Sequence, residues 1–183
     1  SIEERLREVE RRLREDLKRL EKAHRDIVRD IERTLRKVEE DHRRVKEKLK
    51  RTIEDVERRR DTEDVRRLVE TAKKLLEDSD RTVERLRREL ERILDEVRRN
   101  VEKLKRDVKK RLDEVRRRLE DIRDEKELEK LLRDLKRIID EVRKYATRNL
   151  EELKRVLKRV KEEAEKNLER TERLIEEIRR RAE

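Results

Sequence analysis

The apolar residues of this chain follow an 18-residue repeat. Two consecutive blocks between Leu20 and Ile53 show this most clearly, because each contains five apolar-stripe positions spaced 4, 3, 4 and 4 residues apart. One such repeat makes five turns of an α-helix, so the stripe runs straight along one helix face. Each block carries a histidine at its second stripe position, namely His24 and His42. The pattern predicts long α-helices with polar residues inside an otherwise aliphatic stripe.

Two breaks in the phase of this stripe divide the chain into three segments of similar length. After Val56 the stripe resumes at Val65, and after Ile122 it resumes at Leu128, in each case displaced from the continuing phase. Within each segment the period is maintained. The breaks therefore predict two tight turns and three helices, at about 2–60, 62–122 and 125–182.

Residues that favour helix N-termini stand at the start of each segment. Ser1 with Glu4 matches a capping box, Asp61 or Thr62 can cap the second helix, and Asp124 the third. Short turns make consecutive helices antiparallel neighbours. We therefore predict an all-α fold in which one domain, 1–183, forms an antiparallel up-down-up three-helix bundle, a rod of helices about 90 Å long.

A third turn is the main alternative to this topology. The run Glu77-Asp78-Ser79-Asp80 contains residues that favour helix caps, and a turn there would produce four helices. The apolar stripe nevertheless keeps its phase from Leu76 through Ser79 to Val83. Because a turn would disturb that phase, a continuous second helix is favoured.

Antiparallel packing also predicts which polar residues share a cross-section of the bundle. Turns near 61 and 124 mean that facing residues of the first two helices have numbers adding to about 124, and those of the last two to about 248. The two layers obtained in this way are His24 with Asn100 and Asn149, and His42 with Thr82 and Asn167, with Ser79 and Thr171 near the second layer. An unpaired buried polar group costs about 1–3 kcal/mol, so such layers would fix the register of a repetitive apolar stripe. The alternative is that each polar residue lies at the boundary with its tip in water.

The charge of the chain narrows the choice of partners. Charged residues make up 62% of it, and 62 basic residues outnumber 52 acidic ones to give a net charge of +10. The two signs are interleaved, however, and the arginine runs at 58–60 and 116–118 lie near predicted helix C-termini, where cations complement the helix dipole. Without aromatic stacking residues or a known motif, we expect only weak, salt-sensitive attraction to nucleic acid.

The remaining candidate chemistry is sparse. The chain has no cysteine, and His24 and His42 would lie about 27 Å apart along the axis, too far to share a metal ion or haem. No nucleophile with a base, phosphate loop or membrane-length apolar run is present, and Tyr145 is interpreted as a packing residue. We expect no enzyme activity, cofactor, metal, specific nucleic acid or membrane partner, and the sequence does not indicate a location.

One further hypothesis concerns the stability of the fold at low pH. If His24 and His42 are buried against neutral partners, protonation should be unfavourable and the fold should lose stability at low pH. The chain would then be a pH-responsive module.

The whole chain resembles de novo designed helical bundles of the untwisted, parametrically generated kind that contain buried hydrogen bonds. The features that carry the resemblance are the 18-residue repeat, the capping residues, the matched polar layers and the Glu/Arg/Lys surface without Met, Phe or Trp. The absence of Gly in the turns departs from that class. The resemblance implies a structural scaffold without a natural activity. The alternative is a self-associating helical module, and natural spectrin-like rods are a weaker match because they use aromatic cores and heptads.

Overall fold

The protein is an all-α three-helix bundle, as predicted. A computed structural model describes residues 2–59 and 62–182, and nearly all of them lie in three helices of 58 residues each. The helices are α1 (Ile2–Arg59), α2 (Glu63–Glu120) and α3 (Glu125–Ala182). These bounds lie close to those predicted from the breaks in the apolar stripe.

Side-chain caps mark the beginnings of α2 and α3. The Thr62 hydroxyl accepts a hydrogen bond from the backbone N–H of Val65 at 3.3 Å. The Asp124 carboxylate accepts one from the N–H of Glu127 at 2.9 Å. Each contact satisfies a donor that has no partner within the first helical turn. The caps predicted at Ser1 and Asp61 lie outside the described residues.

The second helix is continuous through the acidic segment where a third turn was considered. Every residue from Glu63 to Glu120 is helical, including Asp78, Ser79 and Asp80. The four-helix alternative is therefore wrong. The unbroken apolar phase was the better guide, because Ser79 lies on the buried face of α2 and is 3% exposed.

The chain divides into two compact units. The first consists of Ser1–Arg29 with Ile93–Lys154, and the second of Asp30–Arg92 with Arg155–Glu183. Each unit contains a segment of all three helices, and each has its own aliphatic core. The core of the first unit centres on Leu13 of α1 and Leu135 of α3, both fully buried. The core of the second unit centres on Leu49, Ala72 and Ile178.

Ion pairs establish the antiparallel direction of neighbouring helices within each unit. In the first unit Arg116 of α2 pairs with Glu10 of α1 at 3.3 Å, and Lys105 with Glu21 at 3.3 Å. Residue numbers therefore fall along α2 as they rise along α1. In the second unit the same relation holds between α2 and α3, where the pairs are Arg85 with Glu163 at 2.6 Å and Arg159 with Glu89.

The buried line departs from the predicted stripe by a single residue at several places in the described helices. Thr34, Val69 and Ile93 are buried, whereas the predicted Leu35, Leu68 and Leu94 are only half-buried. Adjacent residues such as these both fall on a core-facing stripe that is more than about 100° wide. Periodicity alone therefore does not decide which of the two lies deeper.

Candidate functional site: polar side chains in the helix core

Three polar side chains from three different helices are hydrogen-bonded in the second unit. The Asn167 side-chain amide of α3 donates to the Ser79 hydroxyl of α2 at 2.8 Å, and Ser79 Oγ lies 3.3 Å from His42 Nδ1 of α1. Ser79 and Asn167 are buried, at 3% and 7% exposure, and the His42 side chain is 14% exposed. These contacts join all three helices through polar atoms in an otherwise aliphatic interior.

The direction of each hydrogen bond follows from the group at the outer end. His42 Nε2 lies 2.7 Å from a carboxylate oxygen of Asp80, and an ionised carboxylate can only accept, so Nε2–H donates. In the neutral ring Nδ1 is then the acceptor, and the Ser79 O–H donates to it. The Ser79 oxygen remains free to accept from Asn167. The hydrogen bonds from Asn167 through Ser79 and His42 to Asp80 are thus mutually consistent, and one tautomer of the neutral His42 ring is selected.

Asp80 forms the solvent-facing end of the series. Lys46 of α1 donates to both Asp80 carboxylate oxygens, at 3.0 and 2.9 Å. Partial burial by itself raises the pKa of Asp80, but the hydrogen bonds from Lys46 and His42 and the nearby ammonium charge outweigh it, and the net pKa lies below the ordinary value of 3.8. The carboxylate is therefore ionised at neutral pH, as the hydrogen-bond directions require.

Two other residues predicted near this layer bond within their own helices. The Thr82 hydroxyl donates to the Asp78 carbonyl at 2.9 Å, and the Thr171 hydroxyl donates to the Asn167 carbonyl at 3.0 Å. Thr82 was predicted as the α2 member of the layer, but Ser79 contacts His42 instead. Ser79 lies on the buried line of α2 one turn earlier, whereas Thr82 lies beside that line and is half-buried.

The predicted layer in the first unit is assembled differently. His24 is 6% exposed, and its Nδ1–H donates to the Leu20 carbonyl one turn earlier at 2.8 Å. Asn100 and Asn149 are half-buried. Among the described residues, no hydrogen bond joins His24, Asn100 and Asn149. The side-chain nitrogen of Asn149 is buried without a hydrogen-bond partner there. Among the described residues it is the one fully buried side-chain nitrogen or oxygen atom that has no hydrogen-bond partner.

Sequence reasoning missed Asp80, Lys46 and Thr34 as polar contributors. Lys46 follows His42 by one helical turn, so its position on the same face of α1 was a usable signal. Thr34 is 6% exposed and donates to the Asp30 carbonyl at 2.8 Å. Its burial had no signal of its own, because the neighbouring Leu35 fits the apolar stripe equally well.

The contacting residues Ser79, His42 and Asp80 are of the three types that form a catalytic Ser-His-Asp triad. A nucleophilic serine must reach a substrate carbonyl, with backbone or side-chain donors placed around the developing oxyanion. Ser79 is 3% exposed in the interior of α2. Its environment therefore favours a structural contact. Within 2–59 and 62–182, no group of three or more His, Asp or Glu residues is arranged to hold a metal ion.

Comparison with known proteins supplies no relative: no protein-family profile, curated protein or solved structure matches the chain. None of the helices described combines the length and apolar character that crossing a bilayer requires.

Proposed function

We propose that the chain is a structural scaffold of the designed-bundle class that it resembles, with no biochemical activity of its own. Its buried polar contacts serve to select one arrangement of three repetitive helices. The observation that carries this proposal is the hydrogen bond from Asn167 to Ser79, which continues to His42. It links all three helices through side chains that have few other partners.

The physical reason lies in the repetitive apolar surface. Aliphatic side chains that recur at every turn pack almost equally well after one helix shifts by a turn, a displacement of about 5.4 Å. They also pack in both possible placements of the third helix relative to the first two. A hydrogen bond of 2.8 Å does not survive either change, and its loss leaves buried polar groups unpaired at a cost of about 1–3 kcal/mol each. The polar contacts thus penalise the alternatives more than they stabilise the native fold.

Distance measurements between spin labels test this role directly. The chain has no cysteine, so single cysteines at the exposed positions Lys50 and Lys74 of the second unit can be labelled selectively. We expect one narrow distance distribution in the parent protein. Replacing the three polar residues together, His42→Leu, Ser79→Ala and Asn167→Leu, should keep the helix content but broaden the distribution or add a population displaced by about 5 Å or more.

A matched control separates register from general perturbation. Thr82→Val removes a hydroxyl that bonds only within α2, so the label distances should remain narrow. A triple variant that is as helical as the parent and equally narrow in distance would contradict the proposed role of the polar residues. The aliphatic packing would then be sufficient to define the arrangement.

Self-association is the alternative function, and light scattering after size-exclusion chromatography distinguishes it. A scaffold that folds alone gives the chain mass of 23.0 kDa across the elution peak. A mass at a multiple of that value, independent of dilution, would favour an interaction module.

A pH-responsive module is the second candidate, and one contact alters its basis. The hypothesis assumed that both histidines face neutral partners, but His42 donates to the Asp80 carboxylate, which Lys46 also contacts. That premise does not hold for His42. Any acid response in the second unit should then depend on Asp80 as well as on the imidazole.

A further inference from the structure

A cavity of about 440 Å³, partly open to solvent, lies in the second unit between α1 and α3, with Val83 of α2 also contributing to its lining. Its apolar lining comes from Val38, Val83, Ala164 and Leu168. A volume of this size falls in the range of small-molecule sites, which are mostly apolar with a few polar groups that fix orientation.

The cavity coincides with short side chains at buried positions. Thr34 and Ala164 are both buried, at 6% and 7% exposure, and both line it. Ala164 belongs to a set of α3 residues that recur once per repeat, of which Leu128 has a larger aliphatic side chain and Ala146 and Ala182 are also alanine. A larger residue at Ala164 would project into the same space.

Two buried side chains offer unused hydrogen-bonding capacity to the cavity. Thr34 donates its hydroxyl hydrogen to Asp30, which leaves its oxygen able to accept. Asn167 donates one amide hydrogen to Ser79, and among the described residues no other hydrogen bond engages its side chain. One N–H and the carbonyl oxygen of that amide therefore remain. His42 also lines the cavity, but both its ring nitrogens are already engaged.

The charged residues around the cavity are balanced in number. Three basic and three acidic side chains contribute to the lining: Arg33, Lys37, Lys161, Asp30, Asp41 and Glu165. One pair among them is in contact, with Lys161 Nζ 3.6 Å from an Asp30 oxygen. Most of these charged side chains are exposed and lie at the rim, and equal numbers of opposite charges give no net attraction for an ion. The site therefore suits an uncharged ligand.

We propose that this cavity binds a small neutral aromatic alcohol of the phenol class. The ring occupies the space beside Val38, Val83 and Ala164. The hydroxyl donates a hydrogen bond to the Thr34 oxygen and accepts one from the remaining N–H of the Asn167 amide. Small-molecule sites commonly combine an apolar surface with a few polar groups, and here the hydrogen bonds to Thr34 and Asn167 would orient the ring.

Binding of phenol to the full chain, followed by calorimetry and ligand-observed NMR, tests the proposal. For a ligand of this size we expect a Kd of about 1 mM or tighter. Benzoate and benzylamine have similar rings but carry a charge, and should bind at least about 10-fold more weakly. Equal binding of all three, or no binding of phenol up to about 20-fold above the expected Kd, would overturn the proposal.

Two pairs of variants locate the site. Ala164→Leu should abolish phenol binding by filling the cavity, whereas Ala146→Leu, at the equivalent repeat position in the first unit, should leave it unchanged. Thr34→Val keeps the side-chain shape and removes the hydroxyl. It should weaken phenol binding by about 5–10-fold but leave toluene binding unaltered.

Each result is decisive even if one variant folds poorly. Helix content by circular dichroism establishes whether Ala164→Leu is folded, and the Thr34→Val comparison of phenol with toluene does not depend on it. Retained phenol binding in a folded Ala164→Leu protein would place the ligand elsewhere. If Thr34→Val weakens the binding of phenol and of toluene equally, the Thr34 hydroxyl does not form the proposed hydrogen bond with phenol.

Discussion

The two asparagines at equivalent repeat positions of α3, Asn149 and Asn167, should respond oppositely to the same substitution. The amide nitrogen of Asn167 donates to Ser79 at 2.8 Å, whereas that of Asn149 is buried without a partner among the described residues. Leucine is close to asparagine in size and cannot hydrogen-bond. Replacing each asparagine by leucine therefore changes packing similarly while removing a satisfied donor in one case and an unsatisfied one in the other.

The expected magnitudes follow from the cost of unpaired polar groups. Removing the orphan Asn149 donor relieves a desolvation cost of about 1–3 kcal/mol, so Asn149→Leu should stabilise the fold. Asn167→Leu gains similar apolar contact but forfeits a net hydrogen bond of about 1 kcal/mol and leaves the Ser79 oxygen facing a methyl group. We expect the free energies of unfolding of the two variants to differ by about 2 kcal/mol or more, with Asn149→Leu the more stable.

Guanidinium denaturation followed by circular dichroism provides the measurement, because both variants share one parent and one probe. The dependence of the unfolding free energy on denaturant must be unchanged for the comparison to hold. Equal stabilities would mean that Asn149 obtains a hydrogen bond in solution or that the Asn167 contact contributes nothing. A more stable Asn167→Leu would refute the claim that the hydrogen bond to Ser79 matters for stability.

Three further outcomes follow from single contacts. Asp124→Ala should lower the unfolding free energy by about 1 kcal/mol through loss of the α3 cap, as measured by the same denaturation. The neighbouring Glu125→Ala is the control, and an equal effect in both variants would contradict the role of the cap. Because folding lowers the pKa of Asp80 below 3.8, its contribution is present above that pH and is lost as the pH falls through the folded value. In the Asp80→Asn variant the free energy of unfolding should therefore fall less steeply below about pH 4 than in the parent. The same pH dependence in both proteins would exclude a role for this carboxylate. His24→Leu removes a buried imidazole whose hydrogen bond, to the Leu20 carbonyl, lies within its own helix. The free energy of unfolding at neutral pH should therefore be equal or higher. A clear loss of stability would indicate a partner on another helix.

The helices could be predicted because the information that defines them is local. The stripe loses its phase after Val56 and after Ile122, and Thr62 and Asp124 provide cap chemistry close to those breaks. Cap and phase signals disagreed only near Asp78, where residues typical of caps lie within α2. The phase was the reliable signal there, because it reports burial along the whole helix, whereas a cap residue reports only its immediate neighbours.

The polar contacts were predicted only in part, because each depends on the level along the bundle and on the direction around the helix, and the layers were derived from the level alone. Antiparallel numbering places residues at a common level along the bundle and so suggested Thr82 opposite His42. It does not say which side chain at that level points inward. Ser79 lies one turn away but on the buried line of α2, and it is the residue that His42 reaches at 3.3 Å. The direction of a side chain around its helix thus outweighed the match in level.

The same limitation explains why equivalent repeats differ in chemistry. His24 and His42 share one repeat position in α1, and Asn149 and Asn167 share one in α3, so the two layers match in their α1 and α3 members. Only the second unit has Ser79 on the buried line of α2, and this hydroxyl both accepts from the amide and donates to the imidazole. At the equivalent α2 position, one repeat later, stands Val97, which is buried and can do neither. Within the described part of the chain, a single hydroxyl therefore distinguishes a connected set of polar side chains from one in which His24 bonds within its own helix and the Asn149 nitrogen has no partner.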